Sequence, residues 1–198
     1  MTVWIQNPFD NLPQEGFRKQ RYWLMAEAFV RAGHRVVYWT SDFNHATKRY
    51  RVLDKPADAH GIELRLVPTC PYQRNVGLAR VRSHRRYAKD WLCVCNGAGR
   101  PDVVVSSFPT IAAAEAAIRI ARRVGAKVVI DVQDAWPETF ERLLPRPLRG
   151  LAHFALLPFR AKARRIFREA DVVTGVCDRY RAIVGRSDYY RAYLGIER

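Results

Sequence analysis

Two acidic residues follow an apolar run within the segment Lys127–Phe140, KVVIDVQDAWPETF. The run Val128–Ile130 is continuous and β-branched, which is typical of a strand that is buried on both faces of a parallel sheet. Asp131 and Asp134 come just past its carboxyl end, where open α/β sheets bind their ligands. The segment therefore indicates both a fold and a place for chemistry. The alternative is that these two residues cap the next helix or shape a turn.

A second candidate site lies after the first apolar segment, where Gly16 precedes a predicted helix. The residues that follow it are Phe17, Arg18, Lys19, Gln20 and Arg21. A helix N-terminus with free amides and nearby cations suits a phosphate group. The alternative is a glycine N-cap followed by a solvated basic turn. The loop lacks a Gly-x-Gly-x-x-Gly fingerprint, which argues against a bound NAD or FAD.

A third loop carries small hydroxyl groups. Ser106 and Ser107 follow another predicted buried strand and precede Pro109. Hydroxyl groups at this position could line a site for a polyhydroxylated ligand, and they could equally form an ordinary turn between a strand and a helix.

Histidine and cysteine spacing indicates no metal site and no redox motif. The five histidines are scattered, and none pairs with another histidine or with a cysteine at ligand spacing. The four cysteines match neither a zinc pattern nor a Cys-x-x-Cys motif, which is consistent with free thiols in a reducing compartment. We therefore expect no metal and no cofactor.

The composition is that of a globular and strongly basic protein. The chain has 198 residues, of which 48% are hydrophobic, so a single domain with one good-sized core is expected. It carries 34 Lys and Arg against 19 Asp and Glu, a net charge of +15, which predicts an anionic partner without choosing its class. No signal peptide and no bilayer-spanning segment is evident, which favours a cytoplasmic location.

A basic amphipathic helix is predicted over Pro147–Ala170, with Pro158 expected to kink or divide it. Its apolar and aromatic residues alternate with cations, a pattern that suits the surface of an anionic bilayer. The cations chosen as membrane contacts are Arg149, Arg160, Lys162, Arg164 and Arg165. The alternative is a helix that faces the core and has a solvated basic side. Nucleic acid is not expected as the partner, because no RNA- or DNA-binding motif is evident.

Strand and helix patterns alternate along the whole chain. The expected strands are Val3–Gln6, Arg35–Thr40, Ile62–Pro68, Asp102–Ser106, Lys127–Val132, Asp171–Val176 and Tyr190–Leu194. The expected helices are Phe17–Ala32, Val81–Cys93, an Ala-rich helix that ends at Arg123, Pro147–Glu169 and Asp178–Val184. Such alternation predicts an α/β fold, a doubly wound and mainly parallel Rossmann-like sheet of six or seven strands with helices on both faces. Strand 1 is expected beside strand 4, where the strand order reverses and a crevice opens.

With these residues in view, the chain resembles the N-terminal domain of a GT-B glycosyltransferase of the glycosyltransferase family 4 type, over nearly its whole length. The segments that carry the resemblance are Gln14–Phe17, Gly33–Val36, Asp131–Glu138, Ala170–Val173 and Tyr193–Glu197. The Asp-x-x-Asp-x-Trp-Pro-Glu run is similar to that of transferases that build surface polysaccharides on lipid-linked acceptors.

The resemblance implies roles for the candidate residues. A nucleotide-diphosphate sugar is then the donor substrate, with its diphosphate near Gly16, Phe17, Arg18 and Arg21. Asp134 and Asp131 position the acceptor hydroxyl group, and Ser106, Ser107 and Glu138 line the acceptor side. Many relatives have a Gly-Gly pair where this chain has Glu15-Gly16, which weakens the phosphate assignment.

The resemblance also implies an incomplete enzyme. Residues 1–198 are expected to form a single acceptor-side domain, and the C-terminal donor-binding domain, absent from this chain, is expected in cis or in trans. Alone, the chain is expected to be inactive. The predicted function is retaining transfer of a sugar to a lipid-linked or saccharide acceptor, at the inner face of the cytoplasmic membrane. The alternatives are a non-catalytic basic module that binds anionic lipid or polymer, and another nucleotide-sugar enzyme such as an epimerase.

Overall fold

The computed structural model describes residues 1–52, 58–59, 61–134 and 145–191, and its strands and helices alternate along the chain. The strands are β1 (Thr2–Gln6), β2 (Arg35–Ser41), β3 (Phe43–Asn44), β4 (Arg49–Tyr50), β5 (Asp58–Ala59), β6 (Ile62–Val67), β7 (Val103–Phe108), β8 (Lys127–Val132), β9 (Val172–Gly175) and β10 (Tyr189–Arg191). The helices are α1 (Arg21–Arg31), α2 (Leu78–Val94), α3 (Ile111–Val124), α4 (Arg146–Glu169) and α5 (Arg179–Val184), with 3₁₀ turns at Pro13–Glu15 and Cys95–Ala98.

Eight of these strands form one twisted sheet in the order β10-β9-β8-β7-β1-β2-β6-β5. Neighbouring strands are parallel, except that β5 runs antiparallel to β6 at the edge. The predicted doubly wound, mainly parallel α/β fold is therefore confirmed. The predicted pairing of the first strand with the strand near residue 103 is confirmed as well, because β1 lies between β2 and β7. The strand order reverses at β1, which makes it the switch point of the sheet.

Two buried layers cover the sheet because successive side chains of a strand point to opposite faces. On one face, Trp4 of β1 packs with Trp39 of β2 and Trp91 of α2, with ring centroids 5.4–6.1 Å apart in edge-to-face geometry. On the other face, Val3 and Ile5 join the core residues that α1 contributes. Helices thus lie on both faces, as the alternating pattern predicts.

The first helix begins later than the sequence predicts. Its first residue is Arg21, not Phe17. The chain first makes the 3₁₀ turn Pro13–Glu15, which ends at Gly16 with φ of +80°, and Gln20 is still extended with ψ of 172°. A left-handed residue followed by extended backbone cannot continue a right-handed helix, so the basic residues after Gly16 do not form its first turn.

Two other elements differ from their predicted form. Helix α4 runs unbroken through Pro158, so the predicted division of this helix is wrong. A proline removes only one backbone hydrogen bond of a long helix, here the bond that would end on the carbonyl group of Phe154. The last strand, β10, covers residues 189–191, and the rest of the predicted Tyr190–Leu194 strand lies outside the described residues. The short strands β3, β4 and β5 were missed, since they are only two residues long.

Candidate functional site

The carboxyl ends of β1, β7 and β8 bring three segments together at the switch point. β1 pairs with β7 and β7 pairs with β8, all in parallel register. Because the strands run the same way, the chain leaves each of them at the same edge of the sheet. We call this region the switch-point edge. It is the place where open α/β sheets bind ligands.

Asn7 is the first residue after β1, and its buried side chain joins the following loop to β7. Its Oδ1 accepts hydrogen bonds from Ser107 Oγ at 3.2 Å and from the backbone N–H of Phe9 at 3.1 Å. Its Nδ2 donates to Oδ1 of Asp10 at 2.6 Å. These three bonds fix both the amide and the start of the loop.

Asp10 places a buried carboxyl group close to the switch-point edge. Its side chain accepts hydrogen bonds from Asn7 and from the hydroxyl group of Tyr38. Burial raises the pKa of Asp10 to about 7, although the Tyr38 hydrogen bond and the charge of Arg51 act in the opposite direction. A carboxyl group with such a pKa gains and loses a proton near neutral pH, which is what general acid–base chemistry needs. Asp10 is therefore a candidate for proton transfer.

A buried arginine holds the loop after β1 against β2. Arg51 has a fully buried side chain that forms an ion pair with Glu15. Its Nη2 donates to the backbone oxygen of Asp10 at 2.5 Å, and its Nε donates to the backbone oxygen of Ser41 at 2.8 Å. Glu15 also accepts a hydrogen bond from Asn44 Nδ2 at 3.0 Å. The loop is thus fixed in shape by a charged group from a distant part of the chain.

Gly16, predicted at a helix N-terminus, instead ends the 3₁₀ turn of this loop. Its amide donates to the backbone oxygen of Pro13 at 3.0 Å, so the amide already has a partner. No atom outside Gly16 and its two chain neighbours lies within 4 Å of the position that a Cβ would take, so the space beside Gly16 is open. Phe17 is half-buried and Arg18 is exposed in the segment before α1. Phosphate binding by these three residues stays a prediction, but a helix N-terminus no longer supports it.

Arg21, predicted to contact a diphosphate, is buried and pairs with Asp131. Arg21 Nε and Nη2 donate to the two carboxylate oxygens of Asp131, each at 2.9 Å. Tyr22 Oη donates to the same carboxylate at 2.9 Å and Thr174 Oγ1 at 2.6 Å. Asp131 lies inside β8, not past its end, and is 0% exposed. Its catalytic role and the phosphate role of Arg21 stay predictions, and the geometry favours a structural ion pair between α1, β8 and β9.

The two serines predicted for the acceptor side are inside β7 and are buried. Ser106 Oγ donates to Gln6 Oε1 at 2.8 Å, which joins β7 to β1. Ser107 Oγ donates to Asn7, as described above. Both hydroxyl groups therefore hold the edge together, and contact between them and an acceptor stays a prediction.

Asp134 is the candidate acid that lies past the end of β8, where it is half-buried. Its role stays a prediction, and Glu138 lies outside the described residues. In the described part of the chain, no group of three or more His, Cys, Asp or Glu residues could hold a metal ion.

The sequence matches the family described as "Glycosyl transferase 4-like domain" over residues 19–193. The match covers most of the chain. The chain belongs to the glycosyl transferase 4-like domain family. No curated protein sequence matches it.

Two solved structures that contain UDP have the same fold as this glycosyl transferase 4-like domain. Alr3699/HepE from Anabaena, solved with UDP and glucose, is 10% identical with a TM-score of 0.51, and the match covers 97% of this chain and 44% of that one. A doubly substituted form of Os79 from O. sativa, solved with UDP, is 15% identical with a TM-score of 0.51, and the match covers 89% and 46%. The domain therefore has the Rossmann-like fold of GT-B glycosyltransferases and spans less than half the length of either protein.

Some of the cations predicted to contact a membrane pair with an acid of this glycosyl transferase 4-like domain. Arg165 Nη2 lies 2.6 Å from Glu115 of α3, and Lys162 Nζ lies 4.0 Å from the same carboxylate. Arg160 donates to the ring of His153 on its own helix at 2.8 Å. The remaining two, Arg149 and Arg164, are exposed.

The same helix exposes large apolar side chains. Leu151 is 72% exposed, Phe154 70% and Leu157 44%, and their spacing of three residues places them near one another on α4. Large apolar side chains grouped in this way on a surface often mark an interaction site. No helix in the described part of the domain is long and apolar enough to cross a bilayer.

Sequence reasoning missed the residues that shape the loop after β1. Asp10 and Glu15 stand in a segment whose importance was recognised, but no pattern marks Asp10 as buried or Glu15 as the partner of a buried arginine. Arg51 is 41 residues from Asp10, and only the folded chain brings them together. A carboxylate in the first loop of a predicted doubly wound sheet was the one available signal.

Proposed function

We propose that this chain is the N-terminal, acceptor-binding domain of a retaining glycosyltransferase. The enzyme transfers a sugar from a nucleotide-diphosphate sugar to a lipid-linked or polysaccharide acceptor. The family match over residues 19–193 carries this proposal. The Rossmann-like fold, in which β1, β7 and β8 are neighbouring strands that end at the switch-point edge, supports it.

The match to the two solved structures supports a division of labour between two domains. It spans 44% of the Anabaena protein and 46% of the O. sativa protein. A C-terminal domain, in cis or in trans, binds the donor in this proposal, and this chain alone does not turn over. The donor's diphosphate lies beside Gly16, where the structure leaves open space.

The acceptor hydroxyl group is positioned by Asp134 in this proposal. Asp134 follows β8 at the switch-point edge, while Asp131 is held inside the sheet by its own partners. Asp10, with a pKa of about 7, is the second group that could accept a proton there. Asp134 orients the nucleophile, and the electrostatic environment stabilises the leaving diphosphate.

We expect Asp134→Asn to lower the transfer rate of the complete enzyme by about 100-fold or more, the range for loss of a positioned acid–base group. The amide keeps the size of the side chain and removes its charge and basicity. The measurement is the rate of sugar transfer from labelled donor, with the second domain present in cis or in trans.

Asp90→Asn is the matched control for that measurement. Asp90 lies on α2, where it pairs with Arg86 four residues away, and this helix follows β6 and not β1, β7 or β8. Its variant keeps the parent rate. An unchanged rate for Asp134→Asn would show that the acceptor assignment is wrong, even if transfer itself is observed.

Membrane docking through α4 extends the proposal. Leu151, Phe154 and Leu157 provide exposed apolar surface, and Arg149 and Arg164 provide exposed positive charge beside it. Such a surface binds by apolar insertion together with attraction to anionic headgroups. Docking there would bring the domain to the membrane surface, where a lipid-linked acceptor lies.

We expect the chain to co-sediment with anionic vesicles but not with neutral ones, and added salt to reduce the bound fraction. The double variant Leu151→Ser/Phe154→Ser should bind anionic vesicles more weakly, by about tenfold or more. Each substitution removes apolar area from the contact with lipid. Val52→Ser is the control, since Val52 is 90% exposed and lies on another part of the chain. Equal binding to both vesicle types would contradict the electrostatic part of the proposal.

A further inference from the structure

A group of cationic and aromatic side chains lies beside the loop after β1. None of them is among the residues of the proposed donor and acceptor sites. Its members come from four segments, namely that loop, the β3–β4 hairpin, the loop after β6 and the start of α2. They are Phe9, His45, Lys48, Tyr72, Arg80 and His84. We call this group the cationic–aromatic cluster.

The aromatic rings of the cluster pack against one another and against the two cations. The ring of Phe9 lies 5.3 Å from that of His45 and 4.8 Å from that of His84, measured between centroids. The guanidinium carbon of Arg80 lies 5.2 Å from the Phe9 centroid, and Lys48 Nζ lies 4.8 Å from the Tyr72 centroid. Both distances are within the range of cation–π attraction, so the rings hold the two cations in place.

The two cations donate to neutral acceptors, not to acids. Lys48 Nζ donates to Nδ1 of His45 at 3.3 Å and to Oδ1 of Asn75 at 2.6 Å. Arg80 Nε donates to Nε2 of His84 at 3.3 Å, and its Nη1 donates to the backbone oxygen of Asn75 at 2.6 Å. Among the residues that the structure describes, neither cation forms an ion pair with a carboxylate.

Like charges therefore act on one another inside the cluster. Burial, followed by the charges of Lys48 and Arg80, lowers the pKa of His45 to about 4. Burial, followed by Arg80 and His45, lowers the pKa of His84 to about 3. Burial and then Arg80 also lower the pKa of Lys48. Perturbed pKa values of this kind cluster at functional sites, and here they accompany the arrangement of rings and cations described above.

The backbone supports the same arrangement. Lys48 has a φ of +58°, the left-handed region that a residue with a Cβ rarely adopts. This conformation closes the turn that begins at Asn44, whose Oδ1 accepts hydrogen bonds from the amides of Ala46 and Thr47. The turn directs Lys48 back toward Tyr72 and Asn75.

We propose that the cationic–aromatic cluster binds a phosphate group carried by the acceptor. Two fixed cations match the charge of a phosphate dianion, and guanidinium and ammonium groups both donate to its oxygens. The neutral imidazoles of His45 and His84 can each take up a proton when the anion arrives. A carboxylate has a single charge and fits this set of donors less well. The assignment to the acceptor rests on the proposed function, in which this domain binds the acceptor.

Calorimetric titration of the full chain tests the site with inorganic phosphate, a water-soluble short-chain prenyl phosphate and acetate. Both phosphates bind at one site and compete, and acetate binds at least tenfold more weakly. Tighter binding of the prenyl phosphate assigns the phosphate group to a lipid, and equal binding assigns it to a soluble acceptor. Acetate that binds as well as phosphate would overturn the choice of ligand.

Arg80→Gln and Lys48→Gln should each weaken phosphate binding by tenfold or more, as expected for loss of a charged hydrogen bond. Arg85→Gln is the matched control, because Arg85 is an exposed cation on the same helix. If Arg80→Gln and Arg85→Gln weaken phosphate binding equally, the binding reflects only the general attraction of an anion to a basic protein. That result would overturn the proposed site.

An NMR titration of the imidazole signals shows that the variants remain folded and adds a second measure. Phosphate should raise the pKa of His45 and His84, and Arg80→Gln should raise that of His84 without ligand. An unchanged His84 pKa in both experiments would contradict the cluster. These measurements need no transfer reaction. The phosphate site can therefore be confirmed even if the role of Asp134 is wrong, and the role of Asp134 can be confirmed even if the phosphate site is wrong.

Discussion

Asp131→Ala should lower the free energy of unfolding by about 3–5 kcal/mol, the range for breaking a buried ion pair by removal of one partner. The side chain of Asp131 is 0% exposed and that of Arg21 is 7% exposed. The substitution leaves the guanidinium group of Arg21 in the interior without its counter-ion. The measurement is urea unfolding followed by circular dichroism.

The size of this effect follows from how completely the carboxylate is used. Each oxygen of Asp131 accepts two hydrogen bonds, from Arg21 and Thr174 on one side and from Arg21 and Tyr22 on the other. These donors come from α1 and β9, so the carboxylate joins a helix to two strands. Its loss removes a contact between elements that are far apart in the sequence.

Two further variants distinguish the loss of the buried ion pair from the loss of a negative charge alone. Asp188→Ala breaks an exposed ion pair with Arg186 and should lower the free energy of unfolding far less than Asp131→Ala does. The double variant Asp131→Leu with Arg21→Met removes both buried charges and should recover much of the lost stability. If Asp131→Ala costs no more than Asp188→Ala, the structural role assigned to Asp131 is wrong.

The strand pattern of this chain is readable from sequence because buried parallel strands are short apolar runs. Val128–Ile130 shows this most clearly, and the order of elements then limits the sheet to a doubly wound form. Asp131 was also predicted near the carboxyl end of this strand, and it is one of the last two residues of β8. Its partners could not be predicted, because Arg21 is 110 residues away and appeared to belong to an exposed basic turn.

The loop after β1 shows where sequence reasoning stops. A glycine before a basic segment is typical of a helix N-terminus, and here the glycine ends a 3₁₀ turn whose Glu15 is held by Arg51. The cationic–aromatic cluster was likewise unrecognisable, because His45, Tyr72 and His84 come from three separate segments. Two of the histidines that are scattered along the chain, His45 and His84, lie against the same Phe9 ring in the fold.

Arg51→Met should lower the free energy of unfolding by about 3 kcal/mol, the lower end of the range for a broken buried ion pair. The side chain of Arg51 is fully buried, whereas that of its partner Glu15 is 14% exposed and keeps some access to water. Two backbone oxygens, those of Asp10 and Ser41, also lose their donor. Urea unfolding measures the change.

Arg35→Met is the matched control for Arg51→Met. Arg35 pairs with Glu63 in an ion pair whose side chains are 54% and 33% exposed, and such pairs contribute about 0.2–1 kcal/mol. Similar losses in the two variants would refute the idea that Arg51 fixes the loop. A double-mutant cycle with Glu15→Gln measures the coupling between Arg51 and Glu15 directly.

The same substitution should also loosen the loop beside the proposed donor site. Glu15 accepts hydrogen bonds from the amide of Leu12 at 3.0 Å and from Asn44, and it loses its counter-ion when Arg51 is replaced. Hydrogen exchange at the amides of Leu12 and Gly16 should therefore quicken more than exchange in β8.

Because the charge of Arg51 lowers the pKa of Asp10, its removal should raise that pKa above about 7 and keep the carboxyl group protonated at neutral pH. Arg51 would then control both the shape of the loop and the proton on Asp10, two properties on which the proposed sugar-transfer site depends.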